Sequence, residues 1–474
     1  MVFPPGKPVA VLCVLGMLAA CVVLTRPASK PAGLTIWFFS EANAKQIEKP
    51  LPASPGSTGG DSRSRESMVD WYSQQIGQHI DIQIMPQRSL DTRMVGLISS
   101  DARAGIPDLV EIEIGSVAKY LRAPVERVGF YPLNEFLQED ELAGRLIPDR
   151  MRTWAKADVQ FLIPRDIHPV TFTYRKDLWD QAGIDVEKIV TWDEFHAAGE
   201  QFIRYWRQQG VSDRFAIELP SRGVDVIIQM LLQRGICLNS HDGTVRLTHP
   251  KVTDTMMRYI RMIRGPRNIA IDTSGALQRE AVQIVSGERA GFLAADWRLR
   301  ILRKDGEKAA GKLAIRPLFI FEPGDRPTST WGGTGIGIPR HAKDPKASWH
   351  ALKSLYFSQR GIEAWRANSD VIPPVKGHSA QSDEPDPFYS GQPVRRILED
   401  LALQVPVSEF TPFTAITRGE LTFVLSRLVD NADLPDEQLR PLLMSWLEDA
   451  QKDVERRIAF SKFDEHADAG EESK

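Results

Sequence analysis

Cysteine is scarce in this 474-residue chain, which contains three cysteines. Cys13 and Cys21 lie in an apolar N-terminal segment, so Cys237 stands alone in the remainder of the chain. No internal disulfide is therefore expected to support the fold. A chain of this length is expected to bury its hydrophobic residues in two or three domains, because single cores stop growing near ~250–300 residues.

A metal site has little support in the sequence. The histidines do not recur at the short spacings that are typical of a zinc site. Five of the nine histidines are scattered along the chain at His79, His168, His196, His241 and His249. We therefore expect no metal ligand set. His168 stays a candidate for hydrogen bonding to a ligand because of the loop on which it lies.

An excess of charge of one sign is also absent. The chain has 59 Lys and Arg residues against 62 Asp and Glu residues, which gives a formal net charge of −3. This balance provides no general attraction to nucleic acid or to an anionic membrane surface. The hydrophobic fraction of 42% and the charged fraction of 26% are ordinary for a globular protein.

Local signatures of catalysis are missing as well. There is no Gly-x-Ser-x-Gly nucleophile motif. Residues 306–312 approximate a phosphate-binding loop, but the next residue is Leu313, which has no hydroxyl group for Mg²⁺. Neither a catalytic residue nor a cofactor is therefore expected. Two acidic side chains distant in sequence could still meet in space and cleave a glycosidic bond, so a hydrolase stays an alternative.

The chain has one long apolar run, Pro8 to Leu24, which follows Lys7 and is typical of a secretory signal. Its Leu-Ala-Ala-Cys end at Cys21 resembles the lipobox of bacterial lipoproteins, in which Cys21 would carry the lipid. An uncleaved membrane anchor and a cleaved signal peptide are the alternatives. In each case residues 1–30 are a targeting or anchoring segment, and the remainder lies outside the cytoplasm.

Polar residues follow the first predicted strands. Residues 34–39 form a continuous apolar run, which is typical of a strand buried in a parallel sheet. Ser40, Glu41 and Asn43 come directly after it, and Glu113 follows another such strand. Ligands of open α/β sheets bind at this carboxyl edge. These four side chains are therefore candidates for ligand contact.

A second polar group lies on a short loop between two predicted strands. Residues 161–163 form an apolar run that Pro164 ends, and residues 170–174 alternate β-branched and aromatic side chains. The loop between these strands carries three polar side chains, Arg165, Asp166 and His168. All three are candidates for ligand contact.

The motifs around this loop resemble those of a known family. A short helix from Lys176 to Ala182 follows the loop, and a Thr-Trp-Asp-Glu-Phe run begins at Thr191. The matching positions are Pro164, Asp166, Pro169, Tyr174, residues 176–178, residues 182–184 and residues 191–195. Together they resemble the extracellular solute-binding proteins of family 1, the receptors of ABC-type sugar importers, over roughly residues 34 to 460.

The resemblance implies an α/β fold of two lobes joined by hinge segments, with the ligand cleft between them. It suggests a first lobe of residues 31–153 and 291–340 and a second lobe of residues 154–290 and 341–463. The chain would then cross near 154, near 290 and near 341. The acidic end, residues 464–474, is expected to be disordered.

The resemblance also implies ligand contacts in the second half of the chain. It places Asp296 and Trp297 at the cleft after a strand, and Trp331 and Gly332 at the cleft after another. Indole rings stack on the C–H faces of sugars, and polar side chains bind sugar hydroxyls. Four other tryptophans lie on amphipathic helices and are expected in the core, namely Trp192, Trp349, Trp365 and Trp446.

The implied function is that of a monomeric receptor, tethered to the membrane by its N-terminus. It would capture a mono- or oligosaccharide and deliver it to a separate ABC permease without acting as an enzyme. Closure of the lobes would require a ligand that contacts both of them. The alternatives are a carbohydrate hydrolase of the cell envelope and a sensor that presents its ligand to a membrane kinase.

Overall fold

A computed structural model of the protein describes residues 33–51, 66–240, 242–273, 279–377 and 382–471, with side chains described as far as residue 460. Residues 1–30, including Cys21, and residue His241 lie outside these ranges. The strands are β1 Leu34–Phe38, β2 Ile80–Ile84, β3 Leu109–Glu113, β4 Ala155–Lys156, β5 Val159–Gln160, β6 Leu162–Pro164, β7 Val170–Arg175, β8 Ile217–Glu218, β9 Ala270–Ile271, β10 Gly291–Ala295, β11 Leu313–Arg316 and β12 Thr334–Gly337.

The first lobe is built on a five-stranded sheet in the order β2-β1-β3-β12-β6. β1 is parallel to β2 and β3, whereas β12 is antiparallel to both β3 and β6. Side chains alternate between the faces of β1, so Ile36 and Phe38 enter one hydrophobic core and Trp37 enters another on the opposite face. The α-helices of this lobe are Glu41–Glu48, Met68–Ile76, Gln87–Ser99, Val117–Tyr120, Asn134–Glu139, Leu142–Arg145, Pro148–Met151, Pro345–Leu352 and Gln359–Asn368.

The second lobe is built on an antiparallel sheet in the order β10-β7-β11. Val170 and Phe172 of β7 are fully buried in one hydrophobic core, which also contains the helix residues Phe195 and Tyr259. A capping box begins the long helix of this lobe, because Thr191 and Glu194 satisfy each other's backbone N–H groups. The α-helices are Lys176–Gln181, Trp192–Gln208, Asp225–Gln233, Pro250–Ile263, Glu280–Ser286, Asp296–Asp305, Val394–Ala402, Thr414–Asp430 and Asp436–Glu471.

The first crossing between the lobes lies later in the chain than the predicted residue 154. β6 pairs with β12 in the first sheet, and β7 pairs with β10 and β11 in the second. The crossing is therefore the loop between Pro164 and Val170. The apolar pattern of residues 161–163 marks a buried strand, but it does not specify which sheet supplies the hydrogen-bonding partner.

Two further predicted boundaries are wrong. β10 pairs with β7 from Gly291↔Tyr174 to Ala295↔Val170, so residues 291–316 belong to the second lobe and not to the first. Residues 345–368 belong to the first lobe and not to the second, because Trp349 and Trp365 pack in the core that contains Ile36. An amphipathic pattern shows that one helix face is buried, but it does not show which sheet the face covers.

The C-terminal helix extends into the segment for which disorder was predicted. It runs from Asp436 to Glu471, past the predicted boundary at residue 464. Residues 464–469 contain neither proline nor glycine, and their Ala and Glu residues favour a helix. The helix therefore covers the segment as far as Glu471, and the predicted disorder of residues 464–474 stays a prediction.

Candidate functional site

Polar side chains of both lobes follow strands that end near the crossing segments. β1, β2 and β3 are parallel, so their carboxyl ends share one edge, which carries Ser40 and Glu113. In the second lobe β10 is antiparallel to β7, so it ends where β7 begins, next to the first crossing loop. Asp296 and Trp297 follow β10 directly. The topology therefore brings these side chains to the junction of the two lobes.

Four charged side chains meet at this junction, and we call Arg150, Asp166, His168 and Asp296 the crossing cluster. The His168 Nδ1 atom lies 2.6 Å from Asp296 Oδ1, and its Nε2 atom lies 3.2 Å from Asp166 Oδ1. Arg150 Nη2 lies 3.5 Å from the same Asp166 oxygen. All four side chains are buried. The cluster therefore joins the first crossing loop to a strand end of the second lobe.

The two carboxylates of the cluster also bind the main chain of other segments. The Thr334 N–H donates to Asp166 Oδ1 over 2.7 Å, at the start of β12 in the first lobe. The Ile372 N–H donates to Asp296 Oδ2 over 2.8 Å. Ile372 also forms a bridge with Ile167 of the first crossing loop. The cluster thus links segments that are far apart in the sequence and lie in both lobes.

The charges of the cluster keep His168 protonated at neutral pH. Burial favours the neutral ring, but Asp296 and Asp166 outweigh it and raise the pKa of His168 to about 9. Burial likewise opposes ionisation of Asp166, but His168 and Arg150 hold the pKa of Asp166 well below its usual range. Both ring nitrogens of His168 therefore donate to carboxylates, and neither has a lone pair for a metal ion.

Two half-buried tryptophans lie next to the cluster. The ring centroids of Trp297 and Trp331 are 5.4 Å apart with an interplanar angle of 74°, and Trp297 Nε1 donates to the Trp331 carbonyl over 2.9 Å. Gly332 has a φ of +89°, which favours glycine, and its carbonyl accepts from Arg150 Nη2 over 3.0 Å. A Cβ atom at Gly332 would lie 3.6 Å from the His168 ring. The indole pair and the crossing cluster thus form one continuous site.

The first-lobe candidates lie at the ends of β1 and β3. Ser40 begins the helix Glu41–Glu48 without a side-chain cap. Glu41 is exposed, and its hydrogen bond and ion pair with Lys45 lower its pKa, with a smaller contribution from Lys304 of the second lobe. Glu113 is half-buried and accepts from Gly115 N over 2.8 Å. Burial raises its pKa, which indicates a site of limited solvation at the end of β3.

Asn43 and Arg165 belong to a buried network beneath the β1 end. Asn43 Nδ2 donates to Glu111 Oε2 over 2.9 Å, and Arg165 Nη1 lies 2.6 Å from Glu111 Oε1. The guanidinium of Arg165 lies 4.5 Å from the centroid of the Trp365 ring. Burial raises the pKa of Glu111 to about 7, although Arg165 opposes the shift. Because the Arg165 side chain is only 1% exposed, it supports Asn43 from below and does not line an open surface.

The structure thus separates the predicted site residues by their place in the fold. Asp166, His168, Asp296, Trp297, Trp331 and Gly332 lie together at the junction of the lobes. Glu113 lies near them, because its β3 position pairs with Thr334 of β12. Ser40, Glu41 and Asn43 lie at the β1 end, whereas Arg165 is enclosed. Cys21 lies outside the described residues. The role of each side chain in ligand binding stays a prediction.

Sequence reasoning missed three residues of this region. Arg150 lies on the short helix Pro148–Met151, and Glu111 lies inside β3, so neither occupies a strand end. Gln87 follows β2 and donates to Glu113 Oε2 over 3.1 Å. Of the three, only Gln87 could have been predicted from the sequence, because it follows a strand as Ser40 and Glu113 do.

Among the residues that the structure describes, no three His, Cys, Asp or Glu side chains are grouped so that they could hold a metal ion. Within the same ranges, none of the helices is both long enough and apolar enough to span a membrane.

Comparison with known proteins agrees with this architecture. A curated arabinooligosaccharide-binding protein of Halalkalibacterium halodurans is 22% identical over 330 residues, which cover 67% of this chain and 71% of that protein. A lactose-binding protein of Rhizobium radiobacter is 23% identical over 332 residues, which cover 65% of this chain and 71% of that protein. These relatives match most of both chains at low identity.

Solved structures share the two-lobed α/β fold. The sugar-binding protein MalE from Xanthomonas citri superposes with a TM-score of 0.68 at 17% identity, covering 90% of this chain and 99% of that one. At this identity the likeness concerns the fold. A family model described as bacterial extracellular solute-binding protein matches residues 70–387. With about two thirds of its length matched, the chain belongs to the family of bacterial extracellular solute-binding proteins.

Proposed function

We propose that this protein binds a carbohydrate, a mono- or oligosaccharide, between its two lobes. The observation that supports this most directly is the half-buried pair of Trp297 and Trp331 at the junction of the lobes. Indole rings offer large apolar faces to the C–H groups of a sugar ring. The relatives named for arabinooligosaccharides and for lactose support the same class of ligand.

The proposed contacts come from both lobes. Ser40, Glu41, Asn43 and Glu113 would bind hydroxyl groups from the first lobe, with the main chain of Gly332 close by. The carboxylates of Asp166 and Asp296 are already engaged by His168 and by backbone N–H groups. We therefore assign them, together with His168, to holding the indole pair in place.

Lobe closure would convert this binding into a signal for transport. A ligand shifts the balance towards the closed form only by the extra contacts that it makes there, so it must contact both lobes. The closed protein would deliver its sugar to an ABC permease. Membership of an extracellular family places the folded part outside the cytoplasm. We propose that residues 1–30 tether it to the membrane as a monomer, by lipid on Cys21 or by an uncleaved apolar segment.

Calorimetric titration of the protein without residues 1–30 tests the proposal. Arabinooligosaccharides, lactose and maltooligosaccharides form the sugar panel, and amino acids and short peptides form the control panel. Binding of at least one sugar is expected, and Trp331→Ala should weaken it. Binding of an amino acid or a peptide, with no sugar bound, would contradict the proposal.

The same complexes separate a receptor from a hydrolase. After a long incubation, chromatography should recover the bound sugar unchanged. Release of shorter sugars in proportion to the protein present would favour the hydrolase. Genes for a permease or for a membrane kinase next to the coding sequence would separate a transport receptor from a sensor.

A further inference from the structure

A cavity of about 350 Å³ lies in the second lobe, apart from the site described above. One wall is the end of the helix Asp225–Gln233 and the turn that follows it, and the opposite wall is the segment from Pro406 to Glu409. Its lining residues are Leu232, Gly235, Ile236, Cys237, Ser240, Arg246, His249, Arg326, Pro406, Val407 and Glu409. Its volume is within the range of roughly 300–1,000 Å³ that is usual for small-molecule sites.

The polar lining of the cavity is mostly basic. Arg246 Nη1 donates to the Cys237 carbonyl over 3.2 Å and to the Ser240 hydroxyl. Asp242 is the carboxylate that senses the charge of Arg246: hydrogen bonds from Thr244 are the main cause that lowers the pKa of Asp242, and Arg246 adds a smaller effect. Arg326 donates to the Gln404 carbonyl over 3.0 Å. The nearest carboxylate to Arg326, on Asp149, is at the limit of ion-pair distance at 4.0 Å.

Other basic residues of this lobe have their charge compensated by ion pairs with carboxylates. Arg234 lies 2.8 Å from Asp254, and Lys251 lies 2.7 Å from Glu322. The hydrogen bonds of Arg246 go to neutral acceptors by comparison, the Cys237 carbonyl and the Ser240 hydroxyl. The guanidinium charge of Arg246 therefore remains available to an anion inside the cavity.

The lowered pKa of His249 indicates a positive electrostatic potential in the same region. Burial lowers its pKa, and so do the charges of Lys251, Arg234 and Arg246. The Nδ1 atom of His249 accepts from the Lys251 N–H over 3.1 Å, which leaves the ring proton on Nε2. The neutral imidazole thus retains an N–H donor for an incoming anion.

One carboxylate, that of Glu409, also lines the cavity. Its Oε1 atom lies 3.9 Å from Arg152 of the first lobe, which offsets part of its charge. The backbone N–H of Glu409 donates to Cys237 Sγ over 3.4 Å, so the two walls are held together. The remaining surface is partly apolar, from Leu232, Ile236, Pro406 and Val407.

We propose that this cavity is a second ligand site, for a small organic anion whose phosphate or carboxylate group binds Arg246 and whose compact apolar body packs against Ile236 and Val407. The basic lining selects for negative charge. The apolar wall selects against a fully hydrated inorganic ion. The site is independent of the sugar site, and occupation of one does not require occupation of the other.

Titration of the sugar-free protein with three matched aromatic probes tests this proposal. Phenyl phosphate and benzoate present the two kinds of anionic group, and benzyl alcohol is the neutral control. At least one anion should bind, with NMR shifts concentrated in residues 235–249 and 404–409. Benzyl alcohol should bind at least tenfold more weakly. The stronger of the two anions identifies the favoured group.

Variants locate the site. Arg246→Gln keeps a donor for the Cys237 carbonyl but removes the charge, so it should weaken anion binding about tenfold or more. Arg207→Gln is the matched control on an exposed helix position of the same lobe and should bind like the wild type. Val407→Trp should block binding by filling the cavity. It replaces Arg246→Gln as the test variant if Arg246→Gln does not fold. Equal affinity of all three variants, or equal binding of benzyl alcohol, would overturn the proposal.

Discussion

At the scale of single residues, burial and partners decide the roles of side chains that look alike in the sequence. Arg165, Asp166 and His168 share one short loop, yet Arg165 turns to Glu111 within the first lobe while His168 bridges two carboxylates at the lobe junction. Trp331 is half-exposed next to Trp297, whereas Trp446 is buried on a helix. Two predictions follow from these differences.

Trp331→Ala should weaken sugar binding by roughly 5- to 150-fold, since an aromatic stacking contact contributes on the order of 1–3 kcal/mol. Its effect on stability should be smaller than that of Trp446→Ala, which removes a buried side chain and should cost about 3–5 kcal/mol. Calorimetric titration and urea unfolding of both variants provide the test. Unchanged affinity together with a large loss of stability in Trp331→Ala would move this residue into the core.

His168 should make stability fall as the pH rises. Its pKa is about 9 in the folded protein and roughly 6.5 in an unfolded chain. A raised folded pKa stabilises the protein fully below about pH 6.5, and this stabilisation is lost as the pH rises through about 9. Urea midpoints of the wild type should therefore decrease from pH 6 to pH 9.5.

The variant His168→Gln isolates this contribution from other groups that titrate. It should be less stable than the wild type at pH 7, because Asp166 and Asp296 lose the cation between them. Its urea midpoint should also depend less on pH over the same interval. An identical pH dependence in the two proteins would show that the crossing cluster does not hold a protonated imidazole.

At the scale of elements, close packing explains the composition of β12. This strand lies between β3 and β6 and contains Gly335 and Gly337. A Cβ atom at Gly335 would lie 2.5 Å from the indole of Trp154, which is fully buried. The strand is therefore glycine-rich because a large aromatic side chain covers its backbone.

Gly335→Ala should destabilise the first lobe by about 1–3 kcal/mol, since the Trp154 ring must move in a filled core. Gly96→Ala is the matched control, because a Cβ atom there meets nothing within 4 Å on the helix Gln87–Ser99. The control should gain roughly 0.5–1 kcal/mol from helix propensity. Urea unfolding of both variants measures the difference, and equal effects of the same sign would contradict the packing argument.

At the scale of the whole molecule, the lobes are separate cores joined by a few crossing segments. The segment after the helix Val394–Ala402 also contacts both lobes, since Thr153 Oγ1 donates to the Ser408 carbonyl over 2.9 Å. Its neighbour Glu409 lies near Arg152.

Removal of residues 1–30 should leave a soluble, folded protein that binds the same ligand as the full chain. The reason is that an apolar targeting segment is not part of the folded core. Circular dichroism, gel filtration and titration of the shortened protein form the test. Aggregation of this protein under conditions in which the full chain is soluble would show that the segment has a structural role.

Most elements and some of the site follow from local patterns in the sequence. The apolar run at β1 predicts a buried strand, Thr191 and Glu194 predict the start of a helix, and the polar residues after β1 and β3 predict a strand edge. The four tryptophans expected in the core are all buried. Each of these features depends on neighbours within a few positions, which a sequence displays directly.

The partners of these elements were decided by the tertiary structure. The sequence pattern of residues 291–295 is that of a strand in either lobe, and only the pairing of β10 with β7 assigns it to the second. In the same way, Arg150 and Glu111 acquire their roles through contacts with loop residues at the lobe junction. The sequence by itself determined where strands, helices and polar edges begin. Only folding determined which of them meet, because hydrogen-bond pairing and charge compensation join residues that are distant along the chain.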